Sequence, residues 1–317
     1  MSASQPVHIG IDLAWGTKNR TGLAAIAADG RLLASGSART DEEIVDWIST
    51  HAERLGVVAI DAPLVVVNET GRRTCESSIH AAFGRFDASP HSTNLAKPEM
   101  RPPRGAVIAE RLGLPIDPTG PRDMLAIEVY PHPAMVGLWR LDLILKYKHK
   151  TKYAFDDRKR EFGRLLDLLK AEPSLRVAEV PRWGEIRTMA AQAAKHGDLN
   201  RIEDEVDGIV CGWLAWLWAA EDERLVIHGD LARGYIVAPE APTHDPRPRA
   251  DRIAPKRVVR FEDSAPKAPV DRPIAAAPSF ALDGPSARWQ LNPAEAAALE
   301  SALRRMRGSG GAPGQLR

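Results

Sequence analysis

The chain has 317 residues, 44% hydrophobic and 27% charged, a composition near the globular average that excludes wholesale disorder. Lys plus Arg (43) nearly cancel Asp plus Glu (42), which excludes a uniformly basic coat for nucleic acid. Two cysteines, Cys75 and Cys211, are too few for a disulfide framework or a thiolate zinc site and fit a reducing cytoplasm.

The chain opens on VHIGIDLA (7–14), a short apolar strand, with neither a basic n-region nor an apolar h-region before it, so no signal peptide is expected. TGLAAIAA (21–28) is a second strand, closed by the Asp29-Gly30 hairpin signal, and RLLASGSAR (31–39) is a third. Thr40 or Asp41 can cap a helix in which Ile44, Val45, Trp47 and Ile48 recur at helical spacing, ending near Gly56. VVAID (57–61) is an uninterrupted β-branched run, as in a strand buried on both faces. A helix is expected over 73–83, then a long loop over 84–105, where Gly, Pro, His, Asn and Arg show little periodicity. LAIEVYP (125–131) is another buried strand, ended by Pro131. Helices are expected at about 156–171, 183–196 and 201–221, and LVIHG with GYIVA as a closing hairpin or edge strands. No run of about 18 apolar residues exists to span a membrane.

Near Pro239 the composition changes. Residues 239–285 contain ten prolines, which block helices and sheets, so 239–288 reads as a disordered linker. The stretch 289–317 reads as a short helical tail, with Asn292 to cap it and Leu299 and Leu303 as its apolar stripe. From 239 onward basic residues exceed acidic ones by four, whereas residues 1–238 carry three more acids than bases. The folded body is therefore expected over 1–238, mildly acidic, with a basic appendage.

Three hairpin-connected strands, a crossover helix and further buried strands specify an α/β mixed sheet with helices on both faces. Right-handed crossovers make the strands at 57–61 and 125–130 parallel to the first. Chemistry in such sheets collects outside the carboxyl ends of the parallel strands. Each of these ends carries an acid: Asp12, Asp61 and Glu128. A buried acid is costly unless paired or ligated, so three at equivalent positions point to one site. On the late helix Asp204 and Asp207 lie at i and i+3, and Asp207 borders an apolar stripe that would pack it on the sheet. Clustered carboxylates repel, and oxygen-only ligands favour Mg²⁺ or Mn²⁺. Two such ions can drive phosphodiester hydrolysis. The bland alternative for each acid is a strand-end cap or ion-pair partner.

At these residues the chain resembles the domain of unknown function 429 family. The resemblance is carried by GIDLAWG (10–16), AIDAPL (59–64), Arg72-Arg73-x-Cys75-Glu76, EVYPHPA (128–134) and DEVDGIVCGWLA (204–215). It covers most of residues 7–238 and implies an RNase H-like mixed five-stranded sheet flanked by helices, and nuclease activity on DNA or RNA. In that fold an Asp on the first strand, an acid on the fourth and an acid on a late helix bind two metal ions. The matching residues here are Asp12, Asp61 and Asp207, with Glu128 as a further ligand.

Other residues are candidates beside this set. Arg73 can hold a phosphate or balance the acids, and His132, between Pro131 and Pro133, can shuttle protons or cap the following helix. Lys146, Lys148, His149, Lys150 and Lys152, interleaved with Tyr147 and Tyr153, read either as a phosphate track or as a solvated loop. The loop with His91, Asn94, Lys97, Arg101 and Arg104 reads as a substrate lid or a variable ornament. Trp213, Trp216 and Trp218 read as core or as a homodimer interface. The competing functions are phosphoryl transfer on a related actin-like core, faintly suggested by Asp12 with Gly16-Thr17, and a catalytically silent nucleic-acid-binding module.

Overall fold

The computed structural model describes residues 4–16, 18–148 and 153–248. The expected helical tail (289–317), and the linker beyond residue 248, lie outside the described residues.

Five strands form one sheet: β1 (Val7–Asp12), β2 (Thr21–Ile26), β3 (Leu32–Ala38), β4 (Leu55–Ile60) and β5 (Leu125–Glu128). Their order is β3-β2-β1-β4-β5. The first three pair antiparallel as a meander, while β4 and β5 run parallel to β1. The α/β architecture is thus a mixed five-stranded sheet, as the order of elements implied. Around it stand α1 (Asp41–His51), α2 (Thr74–Phe83), α3 (Arg104–Arg111), α4 (Pro131–Leu138), α5 (Phe155–Ala171), α6 (Pro181–Gln192), α7 (His196–Leu199) and α8 (Glu203–Ala219). A hairpin of β6 (Leu225–Asp230) and β7 (Gly234–Pro239) closes the domain, and Val237 bridges to Val129 just past β5.

Local chemistry explains most boundaries. Thr40 caps α1 by accepting from the Glu43 amide, and Glu43 returns bonds to the Thr40 and Arg39 amides, a full capping box. Helix α1 stops at His51, short of Gly56, because Gly56 already belongs to β4. There the β1–β4 register slips between Val7 and Ile9, and the buried His8 ring fills the irregularity. A Cβ on Gly56 would stand 2.6 Å from His8 Nδ1, so this strand position needs glycine. The expected loop over 84–105 ends one residue later than α3 begins, because Pro103 precedes a periodic run that buries Ile108 and Ala109. Pro131 ends β5's run but also starts α4, where its missing amide costs nothing.

His8 makes stability pH-dependent. Its Nδ1 accepts from the Val57 amide at 3.1 Å, so protonation there would place two donors face to face. Burial lowers its pKa to about 4, against the pull of Asp123. The unfolded imidazole titrates near 6.5. Stability from a neutral His8 is fully present above about 6.5 and drains away as pH falls toward 4. Denaturation midpoints between pH 7 and pH 4.5 should fall, and His8→Gln should flatten that slope. An unchanged slope in the variant would rule the assignment out.

The chain does not leave the domain at residue 239. Arg85 donates to the Pro242 and His244 carbonyls, His244 Nε2 lies 3.0 Å from the Leu141 carbonyl, and its ring packs on Phe86. The first ten residues of the expected linker therefore include a docked stretch. No helix among the described residues is long and apolar enough to cross a membrane.

Candidate active site

Parallel strands β1, β4 and β5 present their carboxyl ends on one edge of the sheet. Register decides which acids meet there. Ile11 pairs with Ile60, so Asp12 and Asp61, each one residue further on, project to the same face. Ile60 in turn pairs with Glu128. Glu128 therefore shares the face of Ile60, and alternation turns it away from Asp61. The three acids end similar motifs, I-D, I-D and I-E, but the third is out of phase by one residue.

The face that carries Asp12 and Asp61 is the one α8 covers. The approach is close enough that backbone meets backbone. A Cβ on Gly10 would lie 1.9 Å from the Gly212 amide nitrogen, and one on Gly22 would lie 1.6 Å from the Asp204 carbonyl oxygen. From the helix side, a Cβ on Gly208 would lie 2.7 Å from the Gly22 carbonyl carbon and from the Leu23 amide nitrogen. This glycine seam sets Asp207, fully buried, beside the strand-end acids.

The structure thus brings Asp12, Asp61 and Asp207 together. Asp61 and Asp12 lie within hydrogen-bonding reach of each other. Burial pushes Asp61 up to about 7, opposed by Lys148 and reinforced by Asp207 and Glu128. Burial likewise raises Asp12 well above the carboxylate range, with Lys148 opposing and Asp207 and Asp61 adding to it. Asp204 and Glu203, one turn earlier on α8, are raised to about 6, chiefly by burial and then by Asp207.

The cation of this cluster is Lys148. Its Nζ lies 2.6 Å from Asp207 Oδ2 and 3.8 Å from Asp12 Oδ2. Burial alone would lower the Lys148 pKa, but Asp12 and Asp207 overcome it and hold the amine charged. Asp207 Oδ1 accepts from the Tyr147 hydroxyl at 2.5 Å. Arg158 of α5, fully buried, fixes this segment from behind. It donates to the Tyr147 and His196 carbonyls (2.6 and 2.8 Å), to Asn200 Oδ1 (2.8 Å) and to Glu203.

The basic run is therefore not a solvated track as far as it is described. Lys146 is buried and pairs with Asp87 at 2.6 Å, and Tyr147 and Tyr153 are buried. His149, Lys150 and Lys152 lie outside the described residues. The signal that would have exposed Lys148 is charge balance: three converging acids on one face need a cation, and this is the one lysine-rich stretch of the body.

Glu128 belongs to a second ion cluster, with Arg73 and Glu76, which lines the same cavity as Asp12 and Asp61. Both of its oxygens accept from Arg73, at 2.5 and 2.9 Å, and Oε2 also accepts from the Leu64 amide at 3.0 Å. Arg73 Nε donates to Glu76 at 2.9 Å, and Glu76 also accepts from the Thr93 amide and hydroxyl. Both Arg73 and Glu128 are buried. Burial pushes Glu128 upward although Arg73 opposes it. Arg73 is thus engaged by carboxylates, Arg72 is exposed, and both Glu128 oxygens already accept from Arg73.

Two cavities meet at the cluster, and Asp12, Leu13 and Lys148 line both. One, of about 340 Å³, is walled by Asp61, Tyr130, His132, His91 and Trp15. The other, of about 420 Å³, is rimmed by Lys18, Asn19, Arg20, Arg39 and Asn200, with Glu203 and Asp204. His132, on the first turn of α4, stands 5.6 Å from the Tyr147 ring and 5.9 Å from the Tyr130 ring, centroid to centroid. The expected lid loop is tied down: Lys97 donates to the Ser92 carbonyl and lies over Trp15, and Arg104 pairs with Asp41. Trp213 and Trp218 are core residues, Trp213 stacking on Trp139.

Mg²⁺ is commonly held by one or two carboxylates plus waters and substrate oxygens. Among the described residues no three His, Cys, Asp or Glu side chains form a metal cage. The donor chemistry fits one oxygen-loving cation between Asp12 and Asp207, where the Lys148 ammonium stands in for it, and does not fit a four-carboxylate, two-ion site that includes Glu128.

Fold and site together define an α/β protein with a carboxylate cluster at the carboxyl edge of a mixed sheet. The family model described as "Protein of unknown function (DUF429)" matches residues 10–233, and the chain belongs to that family. No curated protein and no solved structure matches the chain.

Proposed function

We propose that this chain is a metal-dependent nuclease that hydrolyses phosphodiester bonds at the Asp12–Asp61–Asp207 cluster. The observation that carries the reading is the convergence of three carboxylates, Asp207 fully buried and Asp12 and Asp61 half-buried, beside one cation position where two cavities meet. Asp12 and Asp207 would hold Mg²⁺ or Mn²⁺. When bound, the ion supplies a Lewis acid for the phosphoryl oxygens.

The remaining roles fall to the chain's own residues. Asp61, titrating at about 7, suits proton acceptance from an attacking water, since a general base works best near the operating pH. Lys18, Arg20 and Arg39 offer cationic contacts to flanking phosphates. Trp15, Tyr130 and His132 offer ring surface and polar tips to the nucleoside beside the scissile bond. Arg73 acts at one remove, by holding Glu128 and the turn at Leu64 and Val65 in place.

The test is a Mn²⁺-dependent cleavage screen over single-stranded, duplex and junction substrates of DNA and RNA. Asp12→Asn should cut the rate by at least about 10²-fold, the scale of a lost electrostatic or acid–base group. Absence of cleavage on every substrate, or activity that survives Asp12→Asn, would overturn the proposal.

A further inference from the structure

We propose that Lys148 is a resident counter-cation that must leave the carboxylate cluster before a divalent ion can enter it, which makes metal uptake conditional on its displacement. The inference rests on the metal-dependent reading above and names a residue that controls it.

Three observations carry it. The Lys148 ammonium stands between Asp207 Oδ2 and Asp12 Oδ2, the two oxygens on which a cation would be held. An ammonium and a divalent ion cannot share that place, because like charges a few ångströms apart in a buried site repel strongly. Second, the side chain is not sealed in: it is 30% exposed and reaches solvent, whereas Asp207 is fully buried. Third, Lys148 lines both cavities, and one of them is rimmed by Lys18, Arg20 and Arg39. A phosphate drawn to that rim gives the displaced ammonium a new partner. Metal and phosphate should then bind cooperatively, each favouring the state in which Lys148 has left, and linkage makes that coupling reciprocal.

Arg158 explains why only the side chain moves. It holds the Tyr147 carbonyl, and Tyr147 holds Asp207, so the backbone on the Tyr147 side of Lys148 is anchored while the lysine stem rotates. The same anchoring separates this role from a purely structural one, since the segment keeps its place when the ammonium is removed.

The experiment is Mn²⁺ binding to the full chain by calorimetry, for wild type, Lys148→Gln and Lys148→Arg, with and without inorganic phosphate. Lys148→Gln should bind Mn²⁺ at least tenfold more tightly than wild type and lose the dependence on phosphate. Lys148→Arg, which keeps the charge, should bind as weakly as wild type. Equal affinity in wild type and Lys148→Gln would overturn this inference and leave the metal reading standing. No Mn²⁺ binding by any of the three at millimolar concentration would overturn the metal reading itself. Should Lys148→Gln not fold, reductive methylation of wild type followed by mass spectrometry gives the same answer. Mn²⁺ should raise the reactivity of the Lys148 amine several-fold, and unchanged reactivity in metal-bound protein would overturn the proposal.

Discussion

Replacing Arg73 with Met is expected to destabilise the protein by about 3–5 kcal/mol, the scale of breaking a buried ion pair from one side. The guanidinium serves Glu128 through both terminal nitrogens, Glu76 through Nε and the Val65 carbonyl through Nη1. Its loss leaves Glu128 with the Leu64 amide alone, in a site that is almost closed to water. Glu76 suffers less, because it keeps the Arg73 and Thr93 amides and the Thr93 hydroxyl. The double variant Arg73→Met/Glu128→Leu should therefore recover most of the loss, since a well-packed apolar pair often matches a buried ion pair. Urea denaturation of the two single variants and the double variant closes the cycle. A single-variant loss under about 1 kcal/mol, in the range of exposed pairs, would mean that the pair is solvated.

The second large effect is expected at the seam between sheet and helix. Gly22→Ala should cost about 3 kcal/mol or more, beyond the usual overpacking range, because its Cβ would meet backbone atoms that cannot rotate aside. Gly10→Ala should behave alike against Gly212. The internal control is Gly163→Ala on α5, where a Cβ meets nothing within 4 Å. Removing a helix-interior glycine there should stabilise by about 0.4–1 kcal/mol. Thermal melts that rank the three variants otherwise would contradict the close approach.

Much of this fold was legible because its signals are local. The Asp29-Gly30 turn, the Thr40–Glu43 capping box and the β-branched run at 57–61 each act within a few residues, and the parallel direction of β4 and β5 followed from right-handed crossovers. The site was legible only in part. Asp12, Asp61 and Asp207 could be picked out as acids bordering apolar runs. Glu128 looked equivalent to them, and only pairing between strands, Ile60 with Glu128, turns it to the other face. Register across parallel strands is a long-range property that no single motif records. Lys148 was hidden for a similar reason. Five basic residues within seven positions read as a phosphate track or a solvated stretch, and the contacts that draw it to the cluster come from Asp207, 59 residues on, and, through the Tyr147 carbonyl, from Arg158, ten residues on.

The glycine seam has a bearing on how this site could adapt to what it binds. With no side chains between them, α8 and the β1–β2 hairpin interlock atom to atom, so neither can slide or tilt without a steric clash. Asp12 and Asp207 are thus set in a rigid anvil. The opposing jaw carries Tyr130, whose hydroxyl donates to the Ser89 carbonyl, and Lys148, held by ion pairs that can exchange partners. Variation in what the site accepts should accordingly arise in that jaw, while changes along the seam should trade away folding before they alter choice of ligand.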